Sequence, residues 1–249
     1  MAQGIAMIGE NISLQPLGNG THIYVSNNHT FGTDAVLLSS FAAPKKNETA
    51  VDLGTGCGII PMLWMRDNAV KYAAGLEISP EAVCLANKSV EKNCFSERLE
   101  IFKGDIKNPF EHLNKASYNL VTCNPPYKAN GTGILSETAT DKAARHETLC
   151  DLTDVIKAAA GLLTYGGRLA ICQRPERLGE IISLMVENEI EPKVLRLVCK
   201  TEGCEPWLVL VMGRLKGGKG MRIMPNLNIY NCDGNLSEEM LKIYGPYKL

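Results

Sequence analysis

The sequence predicts an α/β fold: a doubly wound, mostly parallel seven-stranded sheet with a terminal antiparallel hairpin, preceded by an N-terminal β-hairpin/helix extension. Three observations carry this. From Thr49 onward, short apolar runs alternate with segments of helical periodicity. That alternation implies a parallel sheet covered by helices on both faces, and right-handed crossovers make it doubly wound. The first strand ends in a glycine-rich turn, VDLGTGCGI (51–59), which leads into a helix. The last two apolar runs, KVLRLVCK (193–200) and WLVLVMGR (207–214), are joined by TEGCEP without a helix between them.

The elements follow in order. Residues 12–16 and 22–25 alternate around Gly18-Asn19-Gly20, a hairpin turn signal. In HTFGTDAVLLSSFA (29–42), Thr33 or Asp34 can cap a helix with Val36, Leu37, Leu38 and Phe41 on its apolar face. TAVDLG (49–54) reads as a buried strand, IIPMLWMRD (59–67) as the helix after it, and YAAGLEIS (72–79) as a second strand. Pro80 opens a helix reaching about Asn93, because proline suits a first turn. LEIFKGD (99–105) and YNLVTCNPPY (118–127) are the third and fourth strands. Asp151 caps a helix over DVIKAAAGLL (154–163), expected to stop at Gly166-Gly167. RLAICQ (168–173) is the fifth strand, and ERLGEIISLMVENE (176–189) the helix before the closing hairpin.

Apolar content of 45% and charged content of 21% are those of an ordinary globular protein, which excludes a disordered, collagenous or repeat chain. The formal charge of −1 does not advertise nucleic acid, although a local basic patch can sit on a neutral body. Nine cysteines without a C-x-x-C pair read as reduced thiols, several in apolar runs (Cys123, Cys172, Cys199), rather than a metal site or disulfide framework. No signal peptide and no apolar run of the ~20 residues needed to span a bilayer is seen, so a cytoplasmic protein without membrane contact, metal or obligate protein partner is expected. Trp64 and Trp207 fall in apolar runs and are expected in the core.

The glycine turn is the first chemical signal. Gly54, Gly56 and Gly58 let the backbone approach a ligand, and the helix that follows presents free N–H groups. Glu77 closes the second strand, where a carboxylate can accept ribose hydroxyls; Asp105 closes the third, where it can accept from an adenine amino group. Asp52 stands just before the turn. A carboxylate there opposes a pyrophosphate but suits an amino-acid ammonium group, which favours S-adenosylmethionine over a dinucleotide.

Asn124-Pro125-Pro126-Tyr127 follows the fourth strand, at the edge where α/β ligands bind. An aromatic or amide NH2 is a poor nucleophile because its lone pair is delocalised. The Asn124 side-chain carbonyl and the Pro125 backbone carbonyl can each accept one N–H, placing the nitrogen for in-line attack and favouring the charge that develops on it. The prolines stiffen the loop, and Tyr127 offers a ring face to a planar base. The motif by itself is also compatible with a rigid structural loop. Read as an amino-group clamp, it leaves adenine in RNA or DNA, guanine N2 and protein glutamine as acceptors, while a cofactor-binding RNA protein without turnover would have no use for it.

Taken together, FGTDAVLL (31–38), VDLGTGCGIIPM (51–62), GLEIS (75–79), GDI (104–106), NPPY (124–127), ARHE (144–147) and PNLNIYNCDGNLSEEMLKIYG (225–245) resemble class I, Rossmann-like methyltransferases of the N6-adenine type, and within them the bacterial tRNA1(Val) adenine-N6 methyltransferases. The resemblance covers nearly the whole chain. It implies a single domain: an extension over 1–45, a Rossmann-like S-adenosylmethionine-binding core over 46–215, and a C-terminal appendage over 216–249. It further implies that Phe31, Gly32, Thr33 and Asp34 border the cofactor's methionine end. Asp52, Gly54, Gly56 and Gly58 would line it, Glu77 and Ile78 would meet the ribose, Asp105 and Ile106 the adenine, and Asn124 the cofactor and target together. Asn124, Pro125, Pro126 and Tyr127 would hold the target base. The implied partner is RNA, a tRNA with an anticodon-loop adenine as acceptor. Arg145 and His146, in the polar stretch after NPPY, and Lys216, Lys219 and Arg222, in KGGKGMR, are the candidate RNA contacts.

Overall fold

The structure, a computed structural model, describes residues 12–125, 151–245 and 247. Strands β1 (Ile12–Gly18) and β2 (Thr21–Ser26) form an antiparallel hairpin in which Gly18 pairs with Thr21. The two loop residues, Asn19 and Gly20, both have positive φ (51° and 75°), the primed-turn geometry that matches strand twist. Helix α3 (Pro80–Lys92) and its C-cap then satisfy the hairpin's free edge. The Asn93 side chain accepts from His22 N at 2.8 Å and donates to His22 O at 2.7 Å, and Ser89 Oγ accepts from Tyr24 N at 2.9 Å. Side chains thus supply the bonds a neighbouring strand would have given.

Helix α1 (Thr33–Ala42) starts from Gly32, whose side-chain-free position leaves the terminus without a side-chain cap, contrary to the expected Thr33 or Asp34 cap. The helix buries Ala35, Val36, Leu37, Leu38, Ser39 and Ala42, while Phe41 is half-buried. Its apolar surface is wide because it is wedged between α2 (Ile59–Arg66), the sheet and the C-terminal helix.

The parallel strands are β3 (Thr49–Leu53), β4 (Tyr72–Glu77), β5 (Leu99–Lys103), β6 (Tyr118–Cys123), β7 (Leu163–Gln173) and β8 (Ile190–Cys199). Antiparallel β9 (Pro206–Leu215) inserts between β7 and β8, giving the order β5-β4-β3-β6-β7-β9-β8. The order of strand addition reverses between the parallel neighbours β3 and β6, the switch point where open sheets bind ligands. The expected seven strands are joined by two two-residue strands, β10 (Arg222–Ile223) and β11 (Leu227–Asn228), both parallel to β8. Alternate residues face opposite layers. Ala50, Leu120, Ala170 and Leu210 pack under α1 to α3, and Val51, Val121, Leu169 and Val211 under α4 (Leu152–Leu162) and α5 (Leu178–Glu187).

Three further local expectations are corrected. Helix α4, capped by Asp151 through a capping box with Asp154, ends at Leu162, and Gly166-Gly167 lies inside β7 instead of terminating the helix. A Cβ at Gly167 would sit 3.0 Å from Thr164 O and 3.1 Å from Tyr118 O, so close strand packing explains the glycine. Trp64 is buried as expected, but Trp207 is half-buried beneath the Arg174 guanidinium, 5.8 Å from the ring centroid. The segment after Lys216 is no appendage. Besides adding two strands, it forms α6 (Glu238–Tyr244), which packs on α1 and pairs Glu239 with Arg196 at 2.7 and 2.6 Å.

Among the described residues no helix is long and apolar enough to cross a membrane, and no group of three or more His, Cys, Asp or Glu side chains could hold a metal ion.

Candidate active site

Register aligns the strand ends: Leu53 pairs with Leu76 and Cys123, Glu77 with Lys103, and Cys123 with Ile171. The glycine turn, Glu77, Asp105, Asn124 and Cys172 therefore gather along one edge. Gly54, Gly56 and Gly58 have φ of 67°, 57° and 85°, and a Cβ at Gly56 would meet nothing within 4 Å, so the turn faces open space. Ile106 lies beside it, its Cδ1 3.8 Å from a Cβ built on Gly54.

Two acids at neighbouring strand ends are held differently. Glu77 is buried, with Oε2 accepting from Gly56 N at 2.9 Å and Oε1 from Ser79 N at 2.8 Å. Each oxygen keeps a lone-pair direction for a further hydroxyl donor. Asp52 is also buried but receives only a hydroxyl bond, from Thr122 Oγ1 at 2.6 Å. Burial pushes its carboxyl up to about 7, against the pull of the Thr122 and Thr55 hydroxyls and with a smaller push from the Glu77 charge. The Thr55 hydroxyl is near enough to favour ionised Asp52, yet makes no well-formed hydrogen bond. A buried carboxylate with no paired cation among the described residues, next to an open glycine turn, fits a ligand ammonium group. Glu77, with two oxygens pre-aimed by backbone N–H groups, fits a ribose. Ile78 and Asp105 are half-buried at the rim, and Asp105 Oδ1 accepts from Lys107 N at 2.9 Å. Burial also pushes the Cys57 thiol, inside the turn, up to about 12, which leaves it no part as a nucleophile.

Asn124 sits on top of β6, with Pro125 buried behind it. Its Nδ2 donates to Asp34 Oδ2 at 3.1 Å, and Cys172 Sγ donates to its Oδ1 at 3.0 Å. A carboxylate can only accept, so Asp34 fixes which end of the amide is which. Gly32 makes room for this: a Cβ there would lie 2.7 Å from Asp34 Oδ1. The FGTD segment divides its work. Asp34 turns to Asn124, whereas Thr33 Oγ1 meets Tyr244 Oη at 3.1 Å and Phe31 packs on Tyr247, ring centroids 6.2 Å apart.

Pro126, Tyr127, Arg145 and His146 lie outside the described residues. Lys216, Lys219 and Arg222 are not brought to this edge. Because β9 runs antiparallel, it carries Lys216 and Lys219 to the opposite end of the sheet, and Arg222 pairs with Val194 in the first half of β8. Lys216 forms an ion pair with Glu189. Sequence reasoning missed Thr122 and Cys172. Thr122 was accessible in principle, two residues before NPPY and thus on the same strand face; Cys172 carried no signal beyond its apolar run.

The sequence model of the family described as methyltransferase small domain matches residues 20–187. A relative named tRNA1(Val) (adenine(37)-N6)-methyltransferase from Tolumonas auensis is 28% identical over 185 residues, 73% of this chain and 74% of its own. One of the same name from Aeromonas salmonicida is 24% identical over 219 residues, 88% of this chain and 89% of its own. A solved structure described as a predicted O-methyltransferase from Agrobacterium tumefaciens aligns with a TM-score of 0.70 at 20% identity, covering 86% of this chain and 96% of that one. At that identity the likeness is one of fold.

Proposed function

This chain belongs to the methyltransferase small domain family, and from that premise we propose that it methylates the exocyclic N6 of an adenine in tRNA, in the anticodon loop. Its cofactor is S-adenosylmethionine, which supplies a methyl group made electrophilic by a sulfonium.

The reading is carried by one observation: the Asn124 amide stands at the strand end beside the glycine turn with its Nδ2 committed to Asp34. Asn124 Oδ1 has two lone pairs. It accepts from Cys172 and, in this reading, also accepts a hydrogen from the adenine amino group. The Pro125 carbonyl accepts the second hydrogen. These two acceptors draw electron density onto the nitrogen and aim its lone pair at the methyl carbon. The N–C bond forms as the C–S bond breaks, and the bonding pair stays on sulfur. The nitrogen then carries positive charge, and its proton leaves to water without a strong base. Asp52 holds the methionine ammonium and Glu77 the ribose hydroxyls. An unpaired loop adenine reaches such a clamp at lower cost than a paired one. The names of the tRNA-modifying relatives support this substrate.

Incubating the protein with labelled S-adenosylmethionine and unmodified bulk tRNA, then analysing nucleosides by mass spectrometry, tests the reading. A new N6-methyladenosine peak is expected. Absence of any methylated nucleoside, with cofactor binding measured in the same sample, would overturn it in favour of protein glutamine or a guanine of rRNA as acceptor.

A further inference from the structure

A cavity of about 440 Å3 opens at the end of the sheet opposite the glycine turn, where β7 begins and β9 ends. Its charged lining is Lys45, Arg168, Lys193 and Arg214 against one carboxylate, Glu48. Arg168 already occupies that carboxylate, with Nη2 2.6 Å from Glu48 Oε2. The chain as a whole carries −1, so the positive charge here is a local concentration.

Two features set the cleft apart from a solvated basic surface. First, Arg168 and Arg214 are direct cross-strand partners in the β7–β9 ladder. Like charges in that relation destabilise a sheet; Glu48 compensates Arg168, and Arg214 has no ion-pair partner among the described residues. Glu191 flanks Arg214 on β8, but it accepts from Gly220 N at 3.2 Å and forms no ion pair with Arg214 among the described residues. Second, the cations are held in place by carbonyls. Arg168 Nη1 donates to Ala42 O at 3.0 Å, Arg214 Nε to Gly166 O at 2.9 Å, and Lys193 Nζ to Gly218 O at 2.8 Å. Arg214 keeps its Nη donors and Lys193 further ammonium protons for a ligand. Tyr165, at the rim, is 85% exposed and presents an aromatic face.

We propose that this cleft binds backbone phosphates of the substrate RNA, remote from the methylated base. An extended polyanion fits better than a free nucleotide, because Tyr165 lies open to solvent and Lys219 follows beyond the cavity, past Lys216, which is paired with Glu189. β6, which pairs with β7, spans from one edge to the other in 6 residues, which separates the two ends of the sheet by roughly 20 Å. The choice of tRNA as that RNA rests on the proposed function.

The test compares wild type with the Lys45→Gln/Lys193→Gln variant in binding bulk tRNA and a short anticodon stem–loop, without cofactor and over a range of salt. The variant is expected to bind full-length tRNA about 5- to 20-fold more weakly, with a salt slope reduced by about 1.5, roughly 0.7–0.9 per lost phosphate contact. Its stem–loop and cofactor affinities stay unchanged. Equal tRNA affinity and slope in both proteins would overturn the proposal, as would an equal loss for both RNAs. Inorganic phosphate binding that the variant loses, with tRNA affinity intact, would also overturn it and leave a free phosphate as the occupant. The same comparison with Arg214→Gln guards against an effect peculiar to one substitution. A wild type that forms no N6-methyladenosine would sink the proposed function alone, since the difference in RNA affinity still decides the cleft.

Discussion

The two ends of the sheet carry opposite charge, and the contrast explains how one small domain could serve two unlike ligands. At the end with the glycine turn stand Asp34, Asp52, Glu77 and Asp105; at the other stand Lys45, Arg168, Lys193 and Arg214. The acidic end suits a cofactor that brings an ammonium and a sulfonium. The same acids repel phosphate, so the proposed methyl-transfer site is poorly placed to supply RNA affinity. In the proposed reading, phosphate binding therefore falls to surface away from the chemistry.

Asn124→Ala is expected to have the largest effect at the acidic end. Methyl transfer should fall about 100- to 1,000-fold, in the range for a lost transition-state acceptor or donor, with cofactor affinity within about twofold of wild type. Rapid-quench transfer assays and calorimetry check the pair of values, and a parallel loss of cofactor binding would erase the division between clamp and cofactor pocket.

Asp52→Asn should weaken cofactor binding about 10- to 100-fold, as expected for a lost bond to a charged group, with turnover at saturating cofactor largely kept. The pH dependence sharpens this. The folded-state carboxyl is raised to about 7, so the native protein holds a proton that the unfolded chain has released between about pH 4 and 7. Apo stability should therefore decline across that window as pH rises, and the decline should be smaller in Asp52→Asn. Cofactor affinity should run the opposite way, improving several-fold from pH 6 to 7.5 as Asp52 ionises, and the variant should lose that gain. Thermal melts and titrations at several pH values measure both.

Asp34→Asn is expected to be milder. An amide at position 34 can donate as well as accept, so Asn124 loses the partner that fixes its orientation. Turnover should drop about 5- to 20-fold, roughly one lost hydrogen bond, without a change in the pH profile of cofactor binding. An unchanged turnover number would show that Cys172 and the backbone suffice to hold the amide.

The smallest effect concerns stability. Glu239→Gln removes the ionised partner of Arg196, whose side chain is nearly buried while that of Glu239 is half exposed. The Arg196 hydrogen bonds hold the Glu239 carboxyl below its usual range, so its contribution is present above that range and lost as pH falls from it through the lowered folded-state value. A cost of about 1 kcal/mol at neutral pH, screened by salt, is expected in denaturant melts.

Much of this was legible in the sequence because it is local. The two-residue turn at Asn19-Gly20, Pro80 at a helix start, the Asp151 cap and the acids closing β3 and β4 follow from short-range sterics, capping and alternation. The end of α4 is not legible in the sequence, because Gly166-Gly167 looks like a helix stop until its neighbours in the sheet are known. The place of the tail after Lys216 is not legible either, because its apolar residues are too sparse to announce a fold, and its structure rests on pairing with β8 and docking on α1.

By itself, then, the chain determined the alternating layers, the open glycine turn, and the placing of Asp52, Glu77, Asp105 and Asn124 at strand ends, since strand periodicity and turn chemistry act over a few residues. Tertiary structure alone decided that Asp34 meets Asn124 across 90 positions, that Cys172 donates to the same amide, and that the KGGKGMR cations lie at the far end of the sheet. Those outcomes depend on strand order and on the reversal of β9, and strand order is settled by which faces pack against which helices, a property no window of sequence contains.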